Sequence, residues 1–219
     1  EYNGLDGMPL PLLHVSEVGY AYRGINSKTR GATGFGGAGS CEVNINCAEG
    51  AYSQIEKRSV ARISVKRGNG TLWCTGSLVN NVRNDGTPYF LTADHCGRYS
   101  SEIDLTQWIF YFNYETGGCP GPNVEPASNS MTGATLVAHG GNAAASGSDF
   151  FLVLLSSKVP NSYNPYFNGW SRVTDPPSGS GTTIHHPQGD IKKVSTYTTP
   201  LQATFWKGGS KLAHWLVYW

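Results

Sequence analysis

Tyr89-Phe90-Leu91-Thr92-Ala93-Asp94-His95-Cys96 is the stretch from which the rest of the chain is read. Its first five residues form a short run rich in aromatic and β-branched types, the pattern of a buried strand. A His arrives at the end of that run and a Cys follows it directly. Upstream, Cys74-Thr75-Gly76-Ser77-Leu78-Val79 closes a second run of the same kind. A Cys74–Cys96 bridge would tie the two strands together and fix the loop that presents His95. Closing a loop of that length is worth about 3 kcal/mol in the chain-entropy treatment. His95 is therefore the first candidate functional residue.

Working outward, similar runs recur every eight to twelve residues from Val60 onward, bounded by Gly, Asn, Pro and Ser. They are Val60 to Val65, Thr71 to Val79, Tyr89 to Ala93, Trp108 to Tyr114, Ala134 to Ala138 and Phe150 to Leu155. Thr182 to His185, Lys193 to Thr198, Ala203 to Trp206 and His214 to Trp219 follow. Strands at that spacing predict an all-β sandwich or pair of barrels. No stretch of ten residues keeps a clean helical period. Pro187-Gln188-Gly189-Asp190 reads as the turn of a hairpin between the Thr182 and Lys193 runs. The last run reaches Trp219 with no closing loop, which would leave an exposed apolar edge. On this reading the fold is unfinished.

Composition agrees with a turn-rich β protein. Of 219 residues, 28 are Gly, nearly twice the usual share of about 7%, and only 14% are charged, against about a quarter typically. Lys plus Arg is 16 and Asp plus Glu 15. That balance offers no electrostatic footprint for nucleic acid or an anionic membrane surface. The longest wholly apolar run is the six residues from Phe150 to Leu155, too short for a membrane-spanning helix. The five cysteines (Cys41, Cys47, Cys74, Cys96 and Cys119) include no CxxC pair, which argues against a zinc ribbon or redox motif. Scattered as they are, they predict disulfides and an oxidising compartment. Five is odd, so one thiol lacks a partner within the sequence.

A carboxylate partner for His95 is expected on a later strand. Gly147-Ser148-Asp149 places an Asp at the head of the apolar run Phe150 to Leu155. There Asp149 would accept the Nδ1–H of His95, hold its tautomer and stabilise the imidazolium. The alternative is a strand-start Asp that satisfies local amides. Asp94 is set aside, because neighbours along a strand point to opposite faces.

The paired segments around His95 and Cys74 resemble the chymotrypsin-like serine peptidases, whose His lies in a Thr-Ala-x-His-Cys motif. A closer resemblance is to the lysyl endopeptidases and related secreted bacterial serine peptidases. It is carried by Cys41-Glu42-Val43-Asn44-Ile45-Asn46-Cys47, Gly76-Ser77-Leu78-Val79-Asn80-Asn81, Asn168-Gly169-Trp170, Ile184-His185-His186-Pro187 and Lys192-Lys193-Val194-Ser195. Together these span about residues 39 to 219.

The resemblance implies a double β-barrel with its second barrel incomplete. Residues 1–40 would be a propeptide tail or flexible leader, with Leu13 to Tyr22 as one strand. Residues 41–158 would be the first barrel, carrying catalytic His95 and Asp149, and 159–219 part of the second. It also implies Cys47–Cys119 and Cys74–Cys96 bridges, a partner for Cys41 outside the chain, and Trp170 beside the substrate cleft. The nucleophile would lie in a Gly-x-Ser-Gly-Ser-Pro-like segment after Trp219, so these residues alone are expected to be inactive. No cofactor is implied. Substrates would be proteins and peptides, with Lys preference as the family-level expectation, acted on by a secreted monomer. The sequence opens without Met, basic n-region or apolar h-region, so it reads as a processed product or a piece of a longer frame. Cleavage after Arg30 or later in the Gly-rich stretch would free an N-terminus near Cys41.

Ser178-Gly179-Ser180-Gly181 only superficially resembles a nucleophile turn. No metal site is expected, because His185 and His186 would face opposite sides of a strand without a third ligand. His14, His139 and His214 carry no motif and are assigned no role. Two rival readings are a non-catalytic binding module with a peptidase-like barrel, and a metal-dependent hydrolase using His95, Asp149 and the His185/His186 pair.

Overall fold

The computed structural model describes residues 34–141, 147–172, 179–206 and 213–218. Its strands, in chain order, are β1 (Val43–Asn44), β2 (Val60–Arg67), β3 (Gly70–Val79), β4 (Tyr89–Ala93), β5 (Ile109–Phe112) and β6 (Asn129–Thr132). They continue with β7 (Ala134–His139), β8 (Phe150–Leu155), β9 (Gly181–His185), β10 (Lys193–Tyr197), β11 (Gln202–Thr204) and β12 (His214–Leu216). Two helical turns, α1 (Asp94–Gly97) and α2 (Glu102–Leu105), sit between β4 and β5.

Seven strands form one antiparallel sheet in the order β6-β5-β2-β3-β4-β8-β7. Burial that alternates along a strand explains how it covers a core. In β8, Phe151, Val153 and Leu155 are buried while the residues between them are more exposed. Ile63, Val65, Leu78, Phe90, Trp108, Phe110, Phe112 and Val153 meet in the middle, with the Phe90 and Phe110 rings edge to face at 4.9 Å. The indole Nε1–H of Trp108 donates to the Lys66 carbonyl at 3.2 Å, so burying it strands no donor.

Two smaller sheets follow, β1-β10-β9 and β11-β12. The fold is the all-β, chymotrypsin-like double barrel, with the first sheet curled into a half-barrel and the second unit formed by small, unclosed sheets. Strands Tyr89–Ala93 and Phe150–Leu155 fall where the sequence predicts them. β1 and β6 have no counterpart among the predicted runs. Two residues are too few for a periodic signal, and Asn-Ser-Met-Thr is too polar for one. The predicted strand Leu13 to Tyr22, Arg30 and His14 lie outside the described residues.

The inner end of the 1–40 segment is hydrogen-bonded to the rest of the described residues. Gly34 N–H donates to the Gln188 carbonyl at 3.0 Å. The buried carboxylate of Asp190 accepts from the N–H groups of Gly36 at 2.9 Å and Ala38 at 3.0 Å. Backbone donors pinned by a buried carboxylate belong to the folded body. Gly34, Gly36 and Ala38 are thus tied to the segment 188–190.

Both units share a polar core. Arg62, buried on β2, lies over the rings of Trp73, Tyr111 and Tyr114 at 4.2, 4.6 and 3.8 Å and donates to the Gly189 carbonyl at 2.8 Å. His186 stacks on Tyr114 and donates from Nδ1 to the Asp190 carbonyl at 2.9 Å. Burial, reinforced by the nearby Lys192 ammonium, holds its pKa well below the usual imidazole value. The folded state thus refuses a proton that the unfolded chain takes up below about pH 6.5. Stability should be unaffected above that pH and fall below it, by up to about 1.4 kcal/mol per pH unit. Urea midpoints measured between about pH 7.5 and 5 should show a shallower acid decline in His186→Gln than in the parent.

Candidate active site

Register delivers the two candidate residues to one place. β4 and β8 pair with Ala93 opposite Phe150, so the residue before Phe150 meets the residue after Ala93. Asp94 N–H donates to the Asp149 carbonyl at 2.7 Å, continuing the ladder by one rung. The chain then turns into α1 instead of extending, and His95 folds over Asp149. The Asp94 argument from strand alternation is corrected here, because Asp94 and His95 lie on a helical turn. Asp94 still does not reach the His95 ring. Its carboxylate accepts from Nδ1 of His139 at 2.9 Å.

Asp149 grips His95 at two points. One carboxylate oxygen, Oδ1, accepts the backbone N–H of His95 at 2.9 Å, and Oδ2 meets the ring Nδ1 at 2.6 Å. An ionised carboxylate only accepts, so the proton sits on Nδ1, and the neutral ring carries its lone pair on Nε2. The His95 side chain is 61% exposed and that of Asp149 20%. Such an arrangement can take a proton at Nε2 from an incoming hydroxyl while Asp149 steadies the resulting imidazolium. Asp149 has φ +56°, a left-handed conformation that Asp tolerates better than most residues. That twist turns its carboxylate off the sheet and onto the α1 turn.

Two features anchor α1. Cys96 is bonded to Cys74 on β3, both buried. Gly97 packs against the buried ring of Phe151, where an added Cβ would fall 2.6–2.7 Å from three ring atoms. Phe151 cannot retreat, since Trp108 stacks on it at 5.8 Å. Gly97→Ala should therefore push the His95 turn outward and cost about 1–3 kcal/mol, read as a lower thermal midpoint.

The second disulfide joins Cys47 to Cys119, and Cys41 is free and exposed. Trp170 is exposed and anchored just past the end of β3. Its Nε1–H donates to the Asn80 carbonyl at 2.9 Å, just past Val79. Val79 pairs with Tyr89 at the start of β4, whereas His95 follows the end of that strand. Asn80 and Asn168 hold Trp170 there, through Asn80 N–H to the Asn168 carbonyl at 2.9 Å and Asn168 N–H to the Leu78 carbonyl at 3.0 Å.

The adjacent histidines divide their work. His185 Nε2 lies 3.4 Å from Glu42, whereas His186 is buried on Tyr114. No group of three or more His, Cys, Asp or Glu suited to a metal ion occurs among the described residues. Sequence reasoning missed His139, whose run ended one residue short at Ala138. Continuing the β7 alternation by one position would have included it, though nothing local announces Asp94 as its partner.

A seven-stranded half-barrel, with a second antiparallel unit packed on it, defines the class as chymotrypsin-like. Within that class, residues 35–219 match the sequence profile described as lysyl endopeptidase, C-terminal domain, and the chain belongs to this family. A lysyl endopeptidase of Pseudomonas aeruginosa is 29% identical over 167 residues, covering 74% of this chain and 35% of its own length. The chain thus spans about a third of that curated relative.

Proposed function

We propose that this chain supplies the general base and its orienting carboxylate to a secreted serine endopeptidase that cleaves peptide bonds, with Lys as the preferred residue before the scissile bond. The observation that carries the reading is the two-point grip of Asp149 on His95, at 2.9 Å to the backbone and 2.6 Å to the ring. His95 takes the proton of a serine hydroxyl, then returns it to the leaving amine, while Asp149 keeps the ring in the productive tautomer. The serine comes from outside these 219 residues, so the 219 residues alone do not turn over. Residues up to 158 form the first unit and 159–219 the start of the second. Family membership supports the reaction class, and the similarity to a lysyl endopeptidase supports the Lys preference.

The test uses the full-length secreted protein and a panel of peptides differing only in the residue before the scissile bond. Cleavage after Lys that is lost in His95→Ala and indifferent to chelators is expected. A folded, secreted protein that cleaves nothing would favour the binding-module alternative. Activity abolished by chelators would favour a metal hydrolase.

A further inference from the structure

We propose that Asp94 and His139 are a positioning pair for His95 and Asp149, an inference that rests on the proposed function. Asp94 is 1% exposed yet carries a carboxylate, an arrangement that needs firm partners. Oδ1 accepts from His139 Nδ1 at 2.9 Å, and Oδ2 has Arg98 Nη1 at 3.9 Å with no closer hydrogen-bond donor among the described residues. The pair therefore depends chiefly on one strong bond.

That bond spans the two elements that frame the candidate site. His139 ends β7 opposite Phe151 of β8, and its ring packs on the Phe151 ring at 6.0 Å. Asp94 opens the turn that carries His95, and its backbone N–H binds the Asp149 carbonyl at 2.7 Å. Asp149 lies between these anchors in a left-handed conformation that its surroundings must hold. On its β7 side, Gly140 N–H donates to the Phe150 carbonyl at 2.7 Å. The His139–Asp94 bond thus closes a ring through β7, the head of β8 and α1, with Asp149 inside it. Loosening the ring frees the carboxylate to leave Nδ1 while the sheet stays folded. A catalytic pair held by such outer hydrogen bonds loses rate when its geometry drifts by about 0.5–1 Å.

His139 is half-exposed, so His139→Ala is expected to fold. In the full-length protein it should lower kcat about 10- to 100-fold with KM nearly unchanged. His139→Asn, whose amide N–H takes the place of Nδ1 toward Asp94, should recover most of that loss. Proton NMR of the same proteins supplies a readout independent of turnover. The downfield His95 Nδ1 proton, assigned by its loss in His95→Ala, should be sharp in the parent and His139→Asn and broadened in His139→Ala. Parent-like kcat and an unchanged Nδ1 resonance in folded His139→Ala would overturn the positioning role. A drop in thermal midpoint with neither readout altered would overturn it as well. An inactive parent would instead tell against the proposed function, and the resonance would still decide whether the pair orders His95.

Discussion

Asp149→Asn should lower kcat of the full-length protein about 10⁴-fold while leaving its fold and its KM nearly intact. The structure gives a specific reason for an isosteric change to be so damaging. Oδ1 faces a backbone N–H, that of His95, at 2.9 Å. An Asn must keep its carbonyl oxygen there, since turning its NH₂ to that position would set donor against donor. The NH₂ then faces Nδ1, which must accept, and the ring proton moves to Nε2. A ring protonated at Nε2 cannot take the proton of a serine hydroxyl. Asn also tolerates the φ of +56° found at this position, so the backbone has no cause to change. Steady-state kinetics beside a thermal melt separate the two effects. An active Asp149→Asn protein would show that the grip on His95 is structural only.

The second large effect is on stability. Glu115→Ala should destabilise the fold by about 3–5 kcal/mol, the usual loss when one partner of a buried ion pair is removed. Lys192 is fully buried, its Nζ 3.1 Å from Glu115 Oε2 and 2.8 Å from the Lys57 carbonyl that it donates to. Lys57 pairs with the other oxygen of the same carboxylate. One anion thus serves two cations, and burial already depresses the pKa of Lys192 despite that anion. Removing Glu115 leaves both ammonium groups uncompensated. Lys192→Met combined with Glu115→Leu should restore much of the lost stability, because the pair is costly to desolvate in the first place. Urea denaturation of the three variants measures this. Equal stability of Glu115→Ala and the parent would mean that water reaches Lys192.

The strands that build the candidate site were legible as short apolar runs set off by turn residues. Tyr89–Ala93 and Phe150–Leu155 each alternate against one core, and turn residues bracket both runs. His95 and Asp149 could be picked out because each follows or precedes such a run. The helical turn at Asp94–Gly97 could not be read, since four residues are too few to show a helical period. Its cause is tertiary, in the Cys74 bridge and the packing of Gly97 on Phe151. Trp170 was assigned to the cleft from family likeness alone. Its anchoring rests on the bond from its Nε1–H to the Asn80 carbonyl, a contact 90 residues apart that no local pattern encodes. The pinning of Gly36 and Ala38 by Asp190 is hidden for the same reason, joining positions over 150 residues apart.

Labelling with a serine-directed fluorophosphonate, read by intact mass and peptide mapping of the full-length secreted protein, tests the proposed chemistry most directly. The predicted result is one adduct on a single serine outside residues 1–219, lost in folded His95→Ala. A folded, secreted protein that takes no adduct, or one labelled equally well in His95→Ala, would contradict it.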